Sequence, residues 1–362
     1  MKDSEDKTKN LVRLVLKAIM EGKYGAGDTI PSEREMARQI GISRVTVRRA
    51  YAQLEKASIL KRQQGHGTAI ATGARGCTED IRYIGMLTAW GPFGMSFLRA
   101  LEAGASSSDA LLVIRVTDGR REQEEAAAMD LVAKGIRNLV IWLHASDYRQ
   151  TTYERLRVVG ANMVFFDRVR PRDIADFVGM DNRKAIRSLI EQGLKDGCES
   201  FDFVGYGNSH ADSELERLDA FRSLCSERGV RYVCHEVPYG RGTEKSLRKA
   251  QMEGLGAGQR PGVVCVHDAL ALQVRSVLGE TPRLYSIDGT PAAVAAGITT
   301  VEQPLAQMAK VALQMLKEQQ TKGADWRARE VRIDGRLRLG RAGAQEDQKA
   351  IHHETEGAPT VA

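Results

Sequence analysis

The stretch 31–49, Pro-Ser-Glu-Arg-Glu-Met-Ala-Arg-Gln-Ile-Gly-Ile-Ser-Arg-Val-Thr-Val-Arg-Arg, constrains this chain more than any other. Ser32 and Glu35 have the spacing of a capping box, in which a hydroxyl and a carboxylate satisfy the free N–H groups of a helix's first turn. Gly41 can end that helix, because glycine accepts positive φ. Ser43 then caps a second helix, with Ile42 and Val47 spaced for a hydrophobic staple. Within it Val47, Ala50, Tyr51 and Leu54 recur at i, i+3, i+4 and i+7 and must face a core. The face away from them carries Arg44, Thr46, Arg48, Arg49 and Gln53. Two short helices joined by a tight glycine turn, the second with arginines near its start, make a helix-turn-helix shaped to enter a DNA major groove.

The flanks extend this pattern. Residues 8–22 read as a first helix, with Leu11, Leu14, Val15, Ala18 and Ile19 as its apolar stripe, broken by Gly22, Gly25 and Gly27. Segments 59–63 and 68–71 read as two short strands of a hairpin around Gln64-Gly65-His66-Gly67. Helix, helix, helix, hairpin is a winged helix-turn-helix. Charge supports the same assignment. Residues 1–72 hold 14 Lys+Arg against 8 Asp+Glu, whereas the other 290 residues hold 39 of each. The whole excess of +6 therefore sits on the segment that would meet phosphates.

From Ile81 onward the pattern changes to short apolar strands alternating with amphipathic helices. Strands are expected at 81–87, 110–116, 137–142, 161–166, 200–205, 231–237, 262–266 and 283–287. Helices lie between them, for example at 181–195. The alternation argues for parallel sheets with helices on both faces, in two similar lobes. A late helix at 304–320 precedes a final strand pair, 331–333 and 337–339, around Asp334-Gly335. The aperiodic stretch 72–80 reads as a linker. The resulting division is 8–71 for the winged helix, 72–80 for the linker and 81–342 for the α/β domain, with a polar, disordered tail at 343–362.

No apolar run reaches the roughly 20 residues that span a bilayer. The charged N-terminus has no signal-peptide core, so the chain is expected in the cytoplasm, away from membranes. The five cysteines are scattered and odd in number, as expected of reduced thiols. His352 and His353 have no third ligand near them in sequence, so no metal site is expected.

From about Lys9 to Ile70 the chain closely resembles the gluconate-repressor (GntR) family of winged-helix regulators. The resemblance rests on Gly-Asp-Thr-Ile-Pro-Ser-Glu-Arg-Glu (27–35), Ile-Gly-Ile-Ser-Arg-Val-Thr-Val-Arg-Arg-Ala (40–50), Leu54-Glu55 and Gln-Gly-His-Gly-Thr (64–68). Ala57-Ser58 departs from it, since the family usually has a glycine before the wing. The resemblance implies that Arg34, Arg44, Thr46 and Arg48 touch operator DNA, and that Gln64, Gly65 and His66 form a wing tip reaching the minor groove. Ser43 belongs to the same surface, and Arg49 is expected on phosphate. Arginine can donate twice to guanine, and threonine suits phosphate or a thymine methyl. For Arg34, a salt bridge to Glu33 or Glu35 is the alternative.

Residues 81–340 look like the sugar-binding domain of lactose-repressor-type regulators, itself similar to periplasmic sugar-binding proteins (type I). The matching segments, in order, include Ile84-Gly85-Met86, Thr117-Asp118-Gly119, Phe165-Phe166-Asp167-Arg168 and Val178-Gly179-Met180-Asp181-Asn182. Further along they are Glu216-Arg217-Leu218-Asp219-Ala220-Phe221, Val266-His267-Asp268, Ile287-Asp288-Gly289 and Thr299-Thr300-Val301-Glu302-Gln303-Pro304. This head on this body is the architecture of the arabinose-repressor branch.

The resemblance implies a ligand held between two lobes joined by three crossing strands. Asp181, Arg217 and Asp288 match polar ligand contacts, and His267 stands where the family often has asparagine. Trp90, Phe93, Trp142 and Phe166 are candidates for an aromatic wall against a sugar ring. Core packing is the alternative for Trp142, a helix N-cap for Asp181 and a turn aspartate for Asp288. Arg217 keeps its assignment only if it does not face solvent.

The expected function is a DNA-binding transcription regulator, a repressor released by a sugar or related small molecule and acting as a homodimer on double-stranded operator DNA. An enzyme is the competing class, since some gluconate-repressor relatives carry a pyridoxal-phosphate aminotransferase domain. That would need a Schiff-base lysine and a phosphate cup. The sequence has no glycine-rich phosphate loop and no G-x-S-x-G, and its seven histidines are dispersed. No catalytic residues and no cofactor are therefore expected. A transport-type solute-binding protein would not need the DNA-binding head.

Overall fold

The computed structural model describes residues 2–57, 59–63, 67–71, 80–89, 92–143, 148–168, 171, 173–207, 209, 211–240 and 242–340. The linker stretch 72–79 and the tail 343–362 lie outside them. The chain forms two compact units, one of residues 1–179 with 305–333, the other of 180–304 with 334–362.

The first unit begins with the winged helix. Its order is α1 (Lys2–Met20), β1 (Thr29–Ile30), α2 (Glu33–Ile40), α3 (Arg44–Lys56), β2 (Leu60–Gln63) and β3 (Gly67–Ile70). The capping box forms as expected. Ser32 N–H donates to Glu35 Oε2 at 2.9 Å, and Glu35 N–H donates to Ser32 Oγ at 3.3 Å. Gly41 ends α2 with φ +71°. Val47, Ala50, Tyr51 and Leu54 are all buried, and the Tyr51 hydroxyl donates to the Pro31 carbonyl at 2.7 Å, tying α3 to the start of α2. On α1 the stripe differs from expectation: Leu14 faces outward, while Leu16 joins Leu11, Val15 and Ile19 in the core. The two-residue β1 carries no periodic signal of its own and exists because β3 pairs with it, Ile30 opposite Thr68.

The same unit continues through β4 (Tyr83–Ala89), α4 (Pro92–Ser106), β5 (Leu111–Thr117), α5 (Arg121–Ala133), β6 (Asn138–Ile141), α6 (Gln150–Val158), β7 (Asn162–Phe166) and β8 (Asp176–Met180). The second unit holds α7 (Asn182–Lys195), β9 (Ser200–Tyr206), α8 (Asp212–Glu227), β10 (Arg231–Val237), α9 (Thr243–Met252), β11 (Pro261–Cys265), α10 (Asp268–Leu278), β12 (Arg283–Asp288), α11 (Pro291–Ala295) and β13 (Thr299–Glu302). The chain then returns to the first unit for α12 (Leu305–Lys322) and β14 (Glu330–Ile333), and ends in the second with β15 (Arg336–Arg338).

Each unit carries a six-stranded sheet, ordered β14-β8-β7-β6-β4-β5 in the first and β10-β9-β11-β12-β13-β15 in the second. Strands β4 to β8 pair in parallel, as do β9 to β13. Strands β7, β8 and β11 are buried at every position, as parallel strands covered on both faces must be. The eight expected strands all form, with ends shifted by at most two residues.

The final strand pair needs correction. The strands β14 and β15 exist, but they join different sheets, β14 beside β8 and β15 antiparallel to β13. Gln319 fixes the returning α12. Its amide donates to the Met163 carbonyl and to Asp176 Oδ2, each at 2.8 Å, and its oxygen accepts from Met163 N–H at 2.9 Å and Arg157 at 2.7 Å.

Candidate DNA-binding surface and effector site

In the head, Ser43 Oγ accepts from Thr46 N–H at 3.1 Å and starts α3. Beyond it Arg44, Arg48 and Arg49 are exposed on one side of the helix, and Arg34 is exposed on α2. Helix α3 thus presents cations from its first turn onward, the arrangement that a major groove accepts. Arg48 Nε lies 3.0 Å from Glu33 Oε2, and Arg62 holds the other oxygen of that carboxylate at 3.2 Å. Glu33 therefore pairs with Arg48 and Arg62, and Glu35 is engaged in the cap. Thr46 departs from the expected open face. It is buried, and its hydroxyl lies 2.8 Å from Ser43 Oγ, because the first turn of α3 tucks under its own cap. The wing-tip residues Gln64, Gly65 and His66 lie outside the described residues, but the strands that carry them pair in register, Leu60 with Ile70 and Gln63 with Gly67.

Among the four expected wall aromatics, Trp90 and the side chain of Phe93 lie outside the described residues. Phe166 is fully buried and stacks on Phe97 at 3.7 Å between ring centroids. It shares one buried cluster with residues of α12 such as Met308 and Met315, the surroundings of a core residue. Trp142 follows β6 and is 5% exposed, with its ring edge-on to Phe166 at 5.8 Å. Core packing describes it as well.

In the second unit the expected polar residues gather where strands end and helices begin. Asp181 is the N-cap of α7, its Oδ1 accepting from Lys184 N–H at 2.9 Å. Arg217 faces inward, 3% exposed. Its Nε donates to Asn182 Oδ1 and its Nη1 to the Val266 carbonyl, both at 2.9 Å. It links the start of α7 to the residue before His267.

His267 caps α10, its Nδ1 accepting from Leu270 N–H at 3.4 Å, and its ring lies 5.1 Å from that of Tyr206. An accepting Nδ1 leaves Nε2 as the ring's donor. Burial raises the pKa of the neighbouring Tyr206 phenol. Asp288 ends β12 with φ +135°, a sparsely populated conformation for a residue with a side chain. Its Oδ1 accepts from Gln303 Nε2 at 2.9 Å. The next residue, Gly289, has φ +75°, and a Cβ there would lie 2.4 Å from the Glu302 backbone, so only glycine fits.

One supporting residue escapes the sequence reading. Asp268, 1% exposed, accepts four hydrogen bonds: from the Ser286 and Thr300 hydroxyls at 2.5 and 2.6 Å, and from Thr290 N–H and hydroxyl at 2.6 and 2.8 Å. It fixes the turn that presents Asp288. The only local signal is a carboxylate immediately beyond an apolar strand, and its partners lie 18 to 32 residues away. Together Asp181, His267 and Asp288 offer carboxylate acceptors and a ring donor at helix starts and strand ends, chemistry suited to hydroxyl groups.

Comparison with known proteins finds two matching regions. Residues 7–70 match the model of bacterial regulatory proteins of the gntR family, and residues 190–341 match the periplasmic binding protein-like domain. The arabinose metabolism transcriptional repressor of Halalkalibacterium halodurans is 25% identical over 83% of this chain and 85% of its own length. The protein of the same name from Geobacillus stearothermophilus is 26% identical, and the match spans 35% of each chain.

Two solved structures share the fold. A lac repressor dimer bound to operator and an anti-inducer has a TM-score of 0.60 at 13% identity, covering 73% of this chain and 94% of that one. A LacI-family regulator from Enterococcus faecium with bound ribose has a TM-score of 0.60 at 16% identity, covering 73% and 100%. The capped α3 with its exposed arginines, the two parallel sheets and these matches agree: the chain joins a DNA-binding domain that matches the gntR-family model to a domain that matches the periplasmic-binding-protein-like model and shares its fold with lactose-repressor structures.

Proposed function

We propose that this protein is a repressor whose hold on a near-palindromic operator is controlled by a sugar or related small molecule bound by its second domain. On this reading 8–71 bind DNA, 72–80 link, 81–342 bind effector and dimerise, 343–362 form a tail, and the protein works in the cytoplasm. The observation that carries the reading is α3, capped by Ser43 and presenting Arg44, Arg48 and Arg49 outward. Arg44 and Arg48 read bases, with Arg48 leaving Glu33 to do so, and Arg34, Arg49 and the wing residues Gln64, Gly65 and His66 hold the backbone and minor groove. Asp181, His267 and Asp288 receive the effector's hydroxyls, while Arg217 positions the loops that carry them.

Two relatives are named as repressors of arabinose metabolism, and a structural neighbour holds ribose, which favours a sugar as the effector class. Dimerisation is supported by the edge strand β5, where Leu111, Ile114 and Val116 are exposed, an apolar edge of the kind that proteins cover. The test is titration of a duplex selected from a random library, followed by gel shift. Arg44→Ala and Arg48→Ala should each cost about 1–3 kcal/mol of specific binding. Wild-type binding by both variants would refute the groove assignment. A thermal-shift screen of pentoses, hexoses and their phosphates should find the effector, since a ligand selective for the folded state raises its apparent stability.

A further inference from the structure

The head packs against the lobe that follows it. Helix α1 packs on α5 and α6. The head's apolar core runs on into that lobe's core as one cluster, from Leu11 through Leu131 and Tyr153 to Phe177. Two arginines of the lobe reach the C-terminal ends of head helices. Arg155 Nη1, on α6, donates to the Met20 carbonyl at 3.2 Å, at the end of α1. Arg137 Nη1, just before β6, donates to the Ala57 carbonyl at 3.2 Å, at the end of α3.

The last carbonyls of a helix have no partner within it, and cations are favoured beside them. The Lys17, Ala18 and Ile19 carbonyls are taken by N–H groups of the following turn, and Met20 receives the arginine. Burial lowers the pKa of Arg137, the mark of a guanidinium withdrawn from water. Gly22 makes room: a Cβ there would lie 2.5 Å from Arg155 Nη2. The contact grips the far end of α3, and the reading face at Arg44, Arg48 and Arg49 stays exposed.

We infer that the head is docked on the first lobe rather than hung from a free linker, with Arg137 and Arg155 as the clasp. The docked state is the DNA-competent one, because it orients α3 without covering it. A head held at fixed orientation presents its helix to a half-site already aligned, so release lowers operator affinity without any change in the reading residues. The affinity part rests on the proposed function; the docking part does not.

Hydrogen–deuterium exchange on the full chain, free of DNA and sugar, tests docking. In Arg137→Ala/Arg155→Ala, amides of 16–24 and 53–60 should exchange at least about tenfold faster than in the wild type, with β6 and β7 unchanged. Equal exchange in those segments would overturn the inference. Should the double variant also loosen β6 and β7, Gly22→Asn decides. Asparagine tolerates the left-handed backbone at that position, and its side chain displaces the Arg155 tip from the head side. Release of 16–24 by Gly22→Asn with the lobe intact supports docking, and continued protection refutes it. In the same released variant, the library-selected duplex should bind at least about tenfold more weakly than to wild type. Unchanged affinity in a released variant would show that docking does not set DNA binding.

Discussion

Asp268→Asn tests how the candidate effector site is held. The carboxylate is 1% exposed and accepts from three hydroxyls and one backbone N–H, at 2.5 to 2.8 Å. An amide keeps one acceptor atom and replaces the other with a donor, so two of the four incoming hydrogens meet an N–H group. If the amide oxygen keeps Thr290, the Ser286 and Thr300 hydroxyls, both fully buried, must turn their protons elsewhere. Each stranded buried donor costs about 1–3 kcal/mol, which gives about 2–6 kcal/mol for the asparagine variant. Asp268→Ala strands all four and should cost more.

The assay is urea unfolding followed by two probes. The three tryptophans, Trp90, Trp142 and Trp326, all belong to the first compact unit. Far-UV circular dichroism should therefore show an early transition for the second unit while tryptophan fluorescence keeps its wild-type midpoint. A loss of less than about 1 kcal/mol in Asp268→Asn would refute the reasoning, because the four bonds would then be replaceable by water or by rotation.

Three further outcomes follow from the same geometry. Arg217→Ala should lower the stability of the second unit by about 3–5 kcal/mol, since two charge-assisted bonds, to Asn182 and Val266, are lost and a buried carbonyl is stranded; a thermal melt showing no change would remove Arg217 from its positioning role. Ile114→Glu, on the exposed face of β5, should turn a dimer into a monomer at micromolar concentration by light scattering, and a persistent dimer would place the interface elsewhere. The Glu35 carboxyl is held below its ordinary 4.5 by the Ser32 hydroxyl and then by the Ser32 N–H. Its folded value being depressed, its contribution is present above the ordinary carboxylate range and is lost as pH falls through the lowered value. Exchange of the α2 amides should therefore rise on acidification below about pH 4 in the wild type, more steeply than in Glu35→Gln, which has no charge to lose; parallel pH profiles would count against the cap.

Much of this protein was legible in its sequence because the signals were local. The Ser32–Glu35 cap, the Gly41 stop and the Ser43 cap each satisfy backbone groups within a few residues, so their spacing alone places α2 and α3. The alternation of apolar runs likewise placed eight of the ten parallel strands among the described residues, and missed β8 and β13. Tertiary structure decided what spacing cannot carry. Every residue of β7 is buried, so only the tertiary structure shows that Phe166 shares its cluster with α12. Arg217 sits on an apolar-periodic helix, and only the positions of Asn182 and the Val266 carbonyl make its burial affordable.

The strands β14 and β15 are separated by Asp334 and Gly335 alone, as a hairpin would be, but they extend two different sheets because each finds an edge, β8 or β13, brought there from elsewhere in the chain. The Asp268 network draws on three segments, and Arg137 and Arg155 cap helices more than 75 residues before them. Local hydrogen bonding and periodicity specify elements. Which polar group finds which distant partner depends on how those elements pack, because a buried donor or acceptor must be satisfied wherever the fold happens to place it.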